Sequence, residues 1–200
     1  ITLHERRHEC SKNLLPHDSP RNITKRALVQ ALKKRMETQN FEKISISEIC
    51  TDCGLNRKSF YYHFKDKYEL INWIYYTEFV EKAIEKQFDT SWNLFEEMCS
   101  YFYENRDFYN KTFRVEGQNS FSEYFFSLIF SIMSAHLADI FKDEPSVDPY
   151  AEFYTDALVC AIKKWLSKKD AMLPDEFCRF VRIAVMRASR EVTENPEFTL

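Results

Sequence analysis

Glycine and proline are scarce in this chain, which has 2 Gly and 6 Pro among 200 residues. These two residue types supply most tight turns, so their scarcity argues against a sheet of many short strands. The sequence favours long helices instead. Its length allows one or two domains with a sizeable hydrophobic core.

The sequence also lacks a secretory hydrophobic segment at its start. Most of its cysteines fall among apolar helix positions, so we expect reduced, buried thiols and a cytoplasmic protein. Cys50 and Cys53 form a CxxC pair, but no second Cys or His pair stands at a zinc-ligand spacing. A redox or metal role for this pair is the alternative to simple packing. The six cysteines are Cys10, Cys50, Cys53, Cys99, Cys160 and Cys178.

Sequence patterns of enzymes are missing as well. There is no glycine-rich phosphate loop, no HExxH and no GxSxG, and the five histidines have no obvious triad partners. We therefore expect a protein that is not an enzyme and that holds no cofactor or metal.

One segment, 121–141, is apolar nearly throughout and is about as long as a bilayer-crossing helix. Glu123, His136 and Asp139 interrupt it, and no basic clusters flank it. A buried helix explains this pattern better than a membrane span does, so no membrane partner is expected.

Charge is distributed unevenly along the chain. The formal net charge is −3, but residues 1–70 carry a net +5 and residues 71–200 a net −8. A phosphate backbone attracts the first part and repels the second. The first third of the chain is therefore the place to look for a nucleic-acid contact.

Residues 45–64 have the pattern of two short helices joined by a glycine turn. Ser45, with Glu48 three positions on, is a reciprocal capping pair, so a helix should begin directly after Ser45. Gly54 can supply the left-handed backbone that ends this helix. Asn56 is then a good N-cap for a second helix. The pattern predicts a helix-turn-helix.

The second helix of this pair presents hydrogen-bond donors and no carboxylate. A helix in the major groove of DNA needs such side chains, since acidic groups would be repelled by the phosphates. Arg57, Lys58 and Ser59 are the first-turn candidates for contacts to bases. The aromatic and basic residues from position 61 onward suit phosphate oxygens, which fix register. The predicted DNA-contacting set is Ser45, Arg57, Lys58, Ser59, Tyr61, Tyr62, His63 and Lys67.

A denser pattern runs from the glycine turn through a Tyr/His pair to a lysine and a leucine in the next helix. It consists of Gly54, Leu55, Asn56, Ser59, Phe60, Tyr61, His63, Phe64, Lys67 and Leu70. This pattern resembles the DNA-binding domain of the TetR family of transcriptional regulators, over residues 24–70. Two positions depart from it. Asn40 and Lys58 stand where many members have glycine, so contacts in the groove can differ from those of relatives.

The resemblance implies an all-α protein in three parts. These are a segment 1–20, which its own mixed polarity predicts to be a flexible or partly helical extension, a three-helix helix-turn-helix DNA-binding domain (21–68) and a larger helical effector-binding and dimerisation domain (69–200). It also implies a homodimer on a near-palindromic double-stranded DNA operator, with recognition helices one DNA turn apart. The expected function is a ligand-responsive repressor that is released by a small-molecule effector.

Apolar periodicity predicts the individual helices. The last two carry small residues that allow close helix approach, and in the TetR-like picture they pair with their twofold mates. Intrachain core is the alternative for these two helices. The predicted ranges are 24–39, 66–88, 91–104, 107–116, 120–141, 149–168 and 174–192.

Aromatic residues make up 16% of the chain, so the body could hold an apolar or aromatic effector. Packing alone is the alternative, because aromatic stripes at helical spacing usually form core. The family resemblance raises the chance that a cavity exists among them. The candidate effector-contacting residues are Tyr101, Phe102, Phe113, Phe125, Phe126, Tyr154 and Trp165.

An alternative function is a TetR-like adaptor or co-activator that acts through a protein partner. Salt-sensitive binding to DNA would distinguish the regulator from the adaptor. The segment 155–169 also resembles a branch of the family that includes regulators of dihydroxyacetone kinase operons, but this resemblance assigns no effector.

Overall fold

The computed structural model describes residues 20–115 and 117–194, with side chains from 22 to 185. The described residues form helices joined by turns, without a strand, as the sequence predicted. The predicted extension 1–20 lies outside this range except for Pro20, which begins the first helix.

Three helices form what we call the head. They are α1 (Pro20–Thr38), α2 (Ile46–Asp52) and α3 (Arg57–His63), with a 3-10 turn (Phe41–Lys43) after α1. Apolar residues at helical spacing on α1 face inward, and Leu28 and Leu32 are fully buried. α1 begins at Pro20, four residues before the predicted start, and proline is favoured in the first turn of a helix because it needs no amide donor there.

A connecting helix leaves the head in three consecutive parts. These are α4 (Lys67–Tyr75), a π-helical turn (Tyr76–Val80) and α5 (Glu81–Lys86). Asp66 caps α4, since its Oδ1 accepts a hydrogen bond of 2.8 Å from the Glu69 amide. Residue Gln87 ends the helix with a φ of +48°. The sequence predicted this helix but not its π-turn, which apolar spacing does not reveal.

The remaining helices form the body. They are α6 (Ser91–Glu104), α7 (Arg106–Phe113), α8 (Phe121–Leu137), α9 (Asp148–Ser167) and α10 (Pro174–Glu194). The apolar helix α8 packs on α9, and the predicted buried helix is buried along one side only, at Phe121, Phe125, Ile129 and Leu137, while Ile132 is 38% exposed. Within the described residues, helices lack the combination of length and hydropathy that crossing a membrane requires.

Head, connecting helix and body share one hydrophobic core. Leu28 and Phe60 of the head, Tyr75 of α4 and Phe102 of α6 all belong to the same buried cluster. A core this closely packed has little free volume. Side chains of the head, the connecting helix and the body are therefore in contact through this cluster.

Polar contacts also fix the head to the body. Lys111 on α7 donates to the backbone carbonyls of Met36 and Glu37, at the C-terminal end of α1. A cation there satisfies free carbonyls and complements the helix dipole. Lys65, just after α3, donates to Asn119 Oδ1 at 3.3 Å.

Candidate DNA interface

The start of α2 is fixed by the predicted capping box. The Ser45 hydroxyl accepts from the Glu48 amide at 3.2 Å, and the Ser45 amide donates to Glu48 Oε2 at 2.8 Å. The Ser45 hydroxyl also donates to this carboxylate at 2.7 Å. Ser45 was predicted to contact DNA, but its hydroxyl hydrogen is already used within the box.

Arg35 on α1 holds α2 in place. Its guanidinium contacts Glu48 Oε1 at 3.0 Å and Asp52 Oδ2 at 2.5 Å. The hydrogen bond that Arg35 donates to Asp52 raises the pKa of Arg35 above its usual value. The two carboxylates of α2 are thus paired with a cation of the protein at its surface, which limits their repulsion of DNA. The sequence reasoning missed Arg35, since a basic residue in the last turn of a helix had no visible partner.

The turn and the second cap have the predicted geometry. Gly54 has a φ of +68°, which only glycine adopts without a Cβ penalty. Asn56 Oδ1 accepts from the Ser59 amide at 2.9 Å and from the Ser59 hydroxyl at 3.2 Å. The turn therefore places α3 at the surface, and Asn56 caps the Ser59 amide in its first turn.

The outer side of α3 forms the recognition face, which we define as Arg57, Lys58, Tyr61 and Tyr62. All four side chains are exposed, and Tyr62 is 69% exposed. Phe60, on the opposite side of α3, is fully buried and anchors the helix in the core. The helix itself contains no acidic residue. Cations and phenol hydroxyls can therefore reach a DNA groove without a carboxylate beside them.

Within this face, Arg57 is held in position by its neighbour one turn along. Its guanidinium donates to the Tyr61 hydroxyl at 3.2 Å and lies 5.8 Å from the centre of that ring. Such a pair at i and i+4 restricts the side-chain conformations of Arg57 in the free protein.

Ser59 and His63 are less accessible than predicted. Both side chains are half-buried, and the Ser59 hydroxyl donates to the Asn56 cap. The His63 ring contacts the edge of Tyr62, with ring centres 5.0 Å apart. These residues lie at the border of the recognition face and support its exposed members.

Lys67 makes hydrogen bonds within the protein, while its phosphate contact stays a prediction. Its ammonium donates to the carbonyls of Phe41, Glu42 and Ile44 at 2.9, 2.9 and 2.8 Å. It also lies 4.5 Å from the centre of the Phe41 ring. A lysine has three donors, and all three are used. Burial lowers the pKa of Lys67, and the structure assigns this side chain to bracing the turn before α2.

The predicted effector residues do not all lie together. Phe102, Phe113 and Phe125 pack in one aromatic cluster, with Tyr101 at its edge. Phe126 instead stacks on Phe130, Tyr154 contacts Phe153, and Trp165 stacks on Phe177 at 4.3 Å. Their role in binding an effector stays a prediction.

Two tyrosines that the sequence reasoning did not select complete this cluster. Tyr75 stacks on Phe102 with ring centres 5.4 Å apart, and Tyr109 meets the Phe102 ring edge-on at 4.9 Å. Both tyrosines are buried, and desolvation raises the pKa of each well above its usual value. The aromatic rings of this cluster pack against one another and fill the centre of the body.

Cys50 and Cys53 are both free thiols that pack beneath the recognition helix. The Cys53 thiol donates to the Ile49 carbonyl at 3.2 Å. Desolvation raises the pKa of both thiols, which disfavours the reactive thiolate. Across the described residues, no group of three or more His, Cys, Asp or Glu side chains is placed to hold a metal.

The structure combines a short capped helix pair, whose second helix is exposed and cationic, with a larger helical body. This arrangement is typical of transcriptional regulators of the helix-turn-helix class. Two family models match this chain. Residues 28–74 match bacterial regulatory proteins of the tetR family, and residues 89–186 match a transcriptional regulator C-terminal region. The chain belongs to the TetR family of transcriptional regulators, which are not enzymes.

Individual relatives agree with this assignment. The HTH-type dhaKLM operon transcriptional activator DhaS of Lactococcus lactis subsp. lactis is 28% identical over 153 residues, which cover 71% of this chain and 78% of the relative. A solved structure of a dihydroxyacetone kinase operon activator DhaS is 21% identical, with a TM-score of 0.59, and covers 82% of this chain and 96% of that one. A TetR transcriptional regulator from Streptococcus agalactiae is 17% identical, with a TM-score of 0.65, and covers 82% and 94%. The two structures share the fold.

Proposed function

We propose that the protein is a ligand-responsive regulator that binds a near-palindromic DNA operator as a homodimer. The exposed, carboxylate-free recognition face is the observation that carries this proposal. In this proposal residues 21–68 bind DNA, and residues 69–200 bind the effector and the second subunit. Arg57 and Lys58 contact bases from the first turn of α3, while Tyr61 and Tyr62 contact phosphates.

Operator binding should depend steeply on salt. Each phosphate that a lysine or arginine neutralises releases condensed counterions, so the logarithm of the binding constant should fall with the logarithm of salt concentration by about 0.9 per neutralised phosphate. We expect specific binding to DNA flanking the protein's own gene, with a slope of about −4 or steeper for the dimer. Fluorescence anisotropy at several salt concentrations measures both quantities. Binding equal to that of scrambled DNA would favour the adaptor alternative.

Apolar residues on the last two helices support the proposed dimer. Phe153 on α9 is 67% exposed and Phe180 on α10 is 55% exposed, and Ile183, about one turn after Phe180, is 43% exposed. Exposed apolar groups of this size are unfavourable in water and are typical of interfaces between subunits. A twofold axis along these helices would use the same surface of both copies.

Replacing Phe180 by aspartate should convert this dimer into a monomer. The charge would be buried without a partner at the interface, so we expect the dimer dissociation constant to rise by about 100-fold or more. Sedimentation velocity measures the change. Ile84→Asp is a matched control, because Ile84 is also exposed but lies on the connecting helix. If both variants remain dimeric, this surface is not the interface.

The protein could repress or activate transcription from its operator, and each alternative has support. Family resemblance favours repression, whereas the Lactococcus relative is named an activator. In both cases a dimer bound to its operator is the active species. A promoter reporter in cells without this gene separates them, because loss of a repressor raises expression and loss of an activator lowers it.

The connecting helix is the element that we propose carries the response. An effector that binds the body better in one orientation of this helix would change the spacing of the two heads and hence operator affinity. Only a difference in effector affinity between the two states can produce such a shift.

A further inference from the structure

We propose that a groove beside Glu78 binds a small organic ammonium ion with an apolar body, and that this ligand displaces Lys33 from Glu78. The inference rests on the ligand response proposed above and names its site and ligand class. Glu78 lies in the π-turn of the connecting helix, and Lys33 lies on α1 of the head.

A charged contact joins these two residues across the boundary between head and body. The Lys33 ammonium lies 2.6 and 2.7 Å from the two oxygens of the Glu78 carboxylate. Both side chains are about 30% exposed, so the contact is only partly screened by water. We call it the Lys33–Glu78 bridge.

The bridge continues into the body through two tyrosines. The Tyr101 hydroxyl donates to Glu78 Oε2 at 3.0 Å, and it lies 2.7 Å from the Tyr109 hydroxyl. Because Tyr101 gives its only hydrogen to the carboxylate, Tyr109 must donate to Tyr101. Desolvation and the nearby Glu78 charge raise the pKa of Tyr101, which keeps this donor protonated. Glu78 therefore receives hydrogen bonds from the head and from the aromatic core at once.

The backbone around Glu78 is irregular. A π-turn widens the connecting helix at Tyr76–Val80, and Gln87 has a positive φ just beyond its end. π-turns within helices occur frequently at functional sites, and a non-glycine residue with positive φ marks local strain. Between these two irregularities the helix borders a groove against α6.

This groove has a volume of about 370 Å³, which is enough for a small molecule. Its apolar wall includes Phe79, Phe88 and Tyr101, and its carboxylates are Glu78, Glu97 and Glu104. The aromatic cluster of the body is filled by its own rings, whereas this groove is open beside the same Tyr101. We call it the Glu78 groove.

Two lysines of the chain show which ligand group can bind beside these aromatic rings and carboxylates. Lys86 lies 5.1 Å from the centre of the Phe88 ring and 2.8 Å from Glu97. Lys33 lies 5.6 Å from the centre of the Phe108 ring and contacts Glu78. In both places an ammonium group meets an aromatic ring and a carboxylate together. A ligand with a primary ammonium group and an apolar body can replace Lys33 at Glu78, with Phe79 and Tyr101 beside its body.

Such an exchange would remove one polar contact between the head and the connecting helix, while their shared core and the Lys67 hydrogen bonds remain. Lys33 would lose its only carboxylate partner among the described residues, and the ligand would hold Glu78 within the body. The head could then change its orientation relative to α4, which alters the spacing of two recognition faces in a dimer.

Binding is tested with three probes that share a benzyl group and differ in their polar end. These are 2-phenylethylamine, 2-phenylethanol and phenylacetate, titrated into the full chain by calorimetry at low salt. We expect the amine to bind at least about ten-fold more tightly than the alcohol or the acid. Equal binding of amine and alcohol, or no measurable binding of the amine, would overturn the inference.

Variants locate the site. Glu78→Gln should weaken amine binding by about ten-fold, whereas Glu85→Gln, on the same helix but outside the groove, should change it less than about two-fold. Lys82→Gln removes a like charge from the groove and should tighten binding by roughly two- to five-fold. This gain cannot arise from unfolding. Similar effects of the Glu78 and Glu85 changes, or no gain from Lys82→Gln, would count against the groove.

The coupling is tested on operator DNA with the amine present. We expect the amine to change the operator affinity of the wild-type chain by about five-fold or more, and that of Lys33→Gln by less than about two-fold. A Lys33→Gln variant that responds like the wild type would refute displacement. Operator binding without the amine is measured first. Its absence would refute the proposed function, while normal operator binding with no selective amine binding would refute the present inference alone.

Discussion

Operator affinity is expected to fall by about 100-fold or more when Lys58 is replaced by glutamate. Lys58 is exposed in the first turn of α3, on a helix that contains no carboxylate. The change removes one favourable contact and introduces a negative charge against the phosphates. Since a dimer presents two such helices, the effect occurs twice per operator.

Fluorescence anisotropy with DNA from the flank of the protein's own gene measures this loss. Lys169→Glu is the matched control, because it changes the net charge equally at an exposed position in the body. We expect the control to alter affinity less than about three-fold at physiological salt, where distant charges are screened. A similar loss in both variants would mean that total charge, and not the recognition face, governs binding.

Replacing Lys67 by methionine is expected to destabilise the protein by about 2–3 kcal/mol. The variant loses three hydrogen bonds from a cation and leaves three backbone carbonyls in the turn before α2 without their donor. For a chain of this length the melting temperature should fall by roughly 5–10 °C. Circular dichroism during heating measures the fall.

Lys65→Met is the control for this variant, since Lys65 is exposed and has one side-chain hydrogen bond, to Asn119. We expect its melting temperature to change by less than about 2 °C. An unchanged melting temperature for Lys67→Met, together with weaker binding to every DNA sequence, would restore the phosphate contact that the sequence suggested.

The sequence was sufficient to predict the recognition face of α3, but not the hydrogen-bond partners of Lys67. The caps at Ser45 and Asn56 and the turn at Gly54 were predictable because each involves residues within three or four positions of one another. The exposed face of α3 followed from the same spacing, because Phe60 fixes which side is buried. These local rules also gave the boundaries of α6 correctly.

Contacts between distant segments were not predictable in this way. Lys67 meets carbonyls more than 20 positions away, and Lys33 meets Glu78 at a separation of 45 residues. A lysine in a sequence looks the same whether its ammonium reaches a phosphate, a carbonyl or a carboxylate. Its partner depends on which turns and helix faces packing brings within about 3 Å of its end.

The sequence by itself determined the helical class, the helix-turn-helix and its carboxylate-free outer face, because caps, turns and apolar spacing act over a few residues. Only the tertiary structure decided that Lys67 braces a turn, that Arg35 pairs the carboxylates of α2, and that Glu78 joins head to body. The physical reason is distance. A side chain finds its partner through the packing of whole helices, and that packing is a property of the complete core.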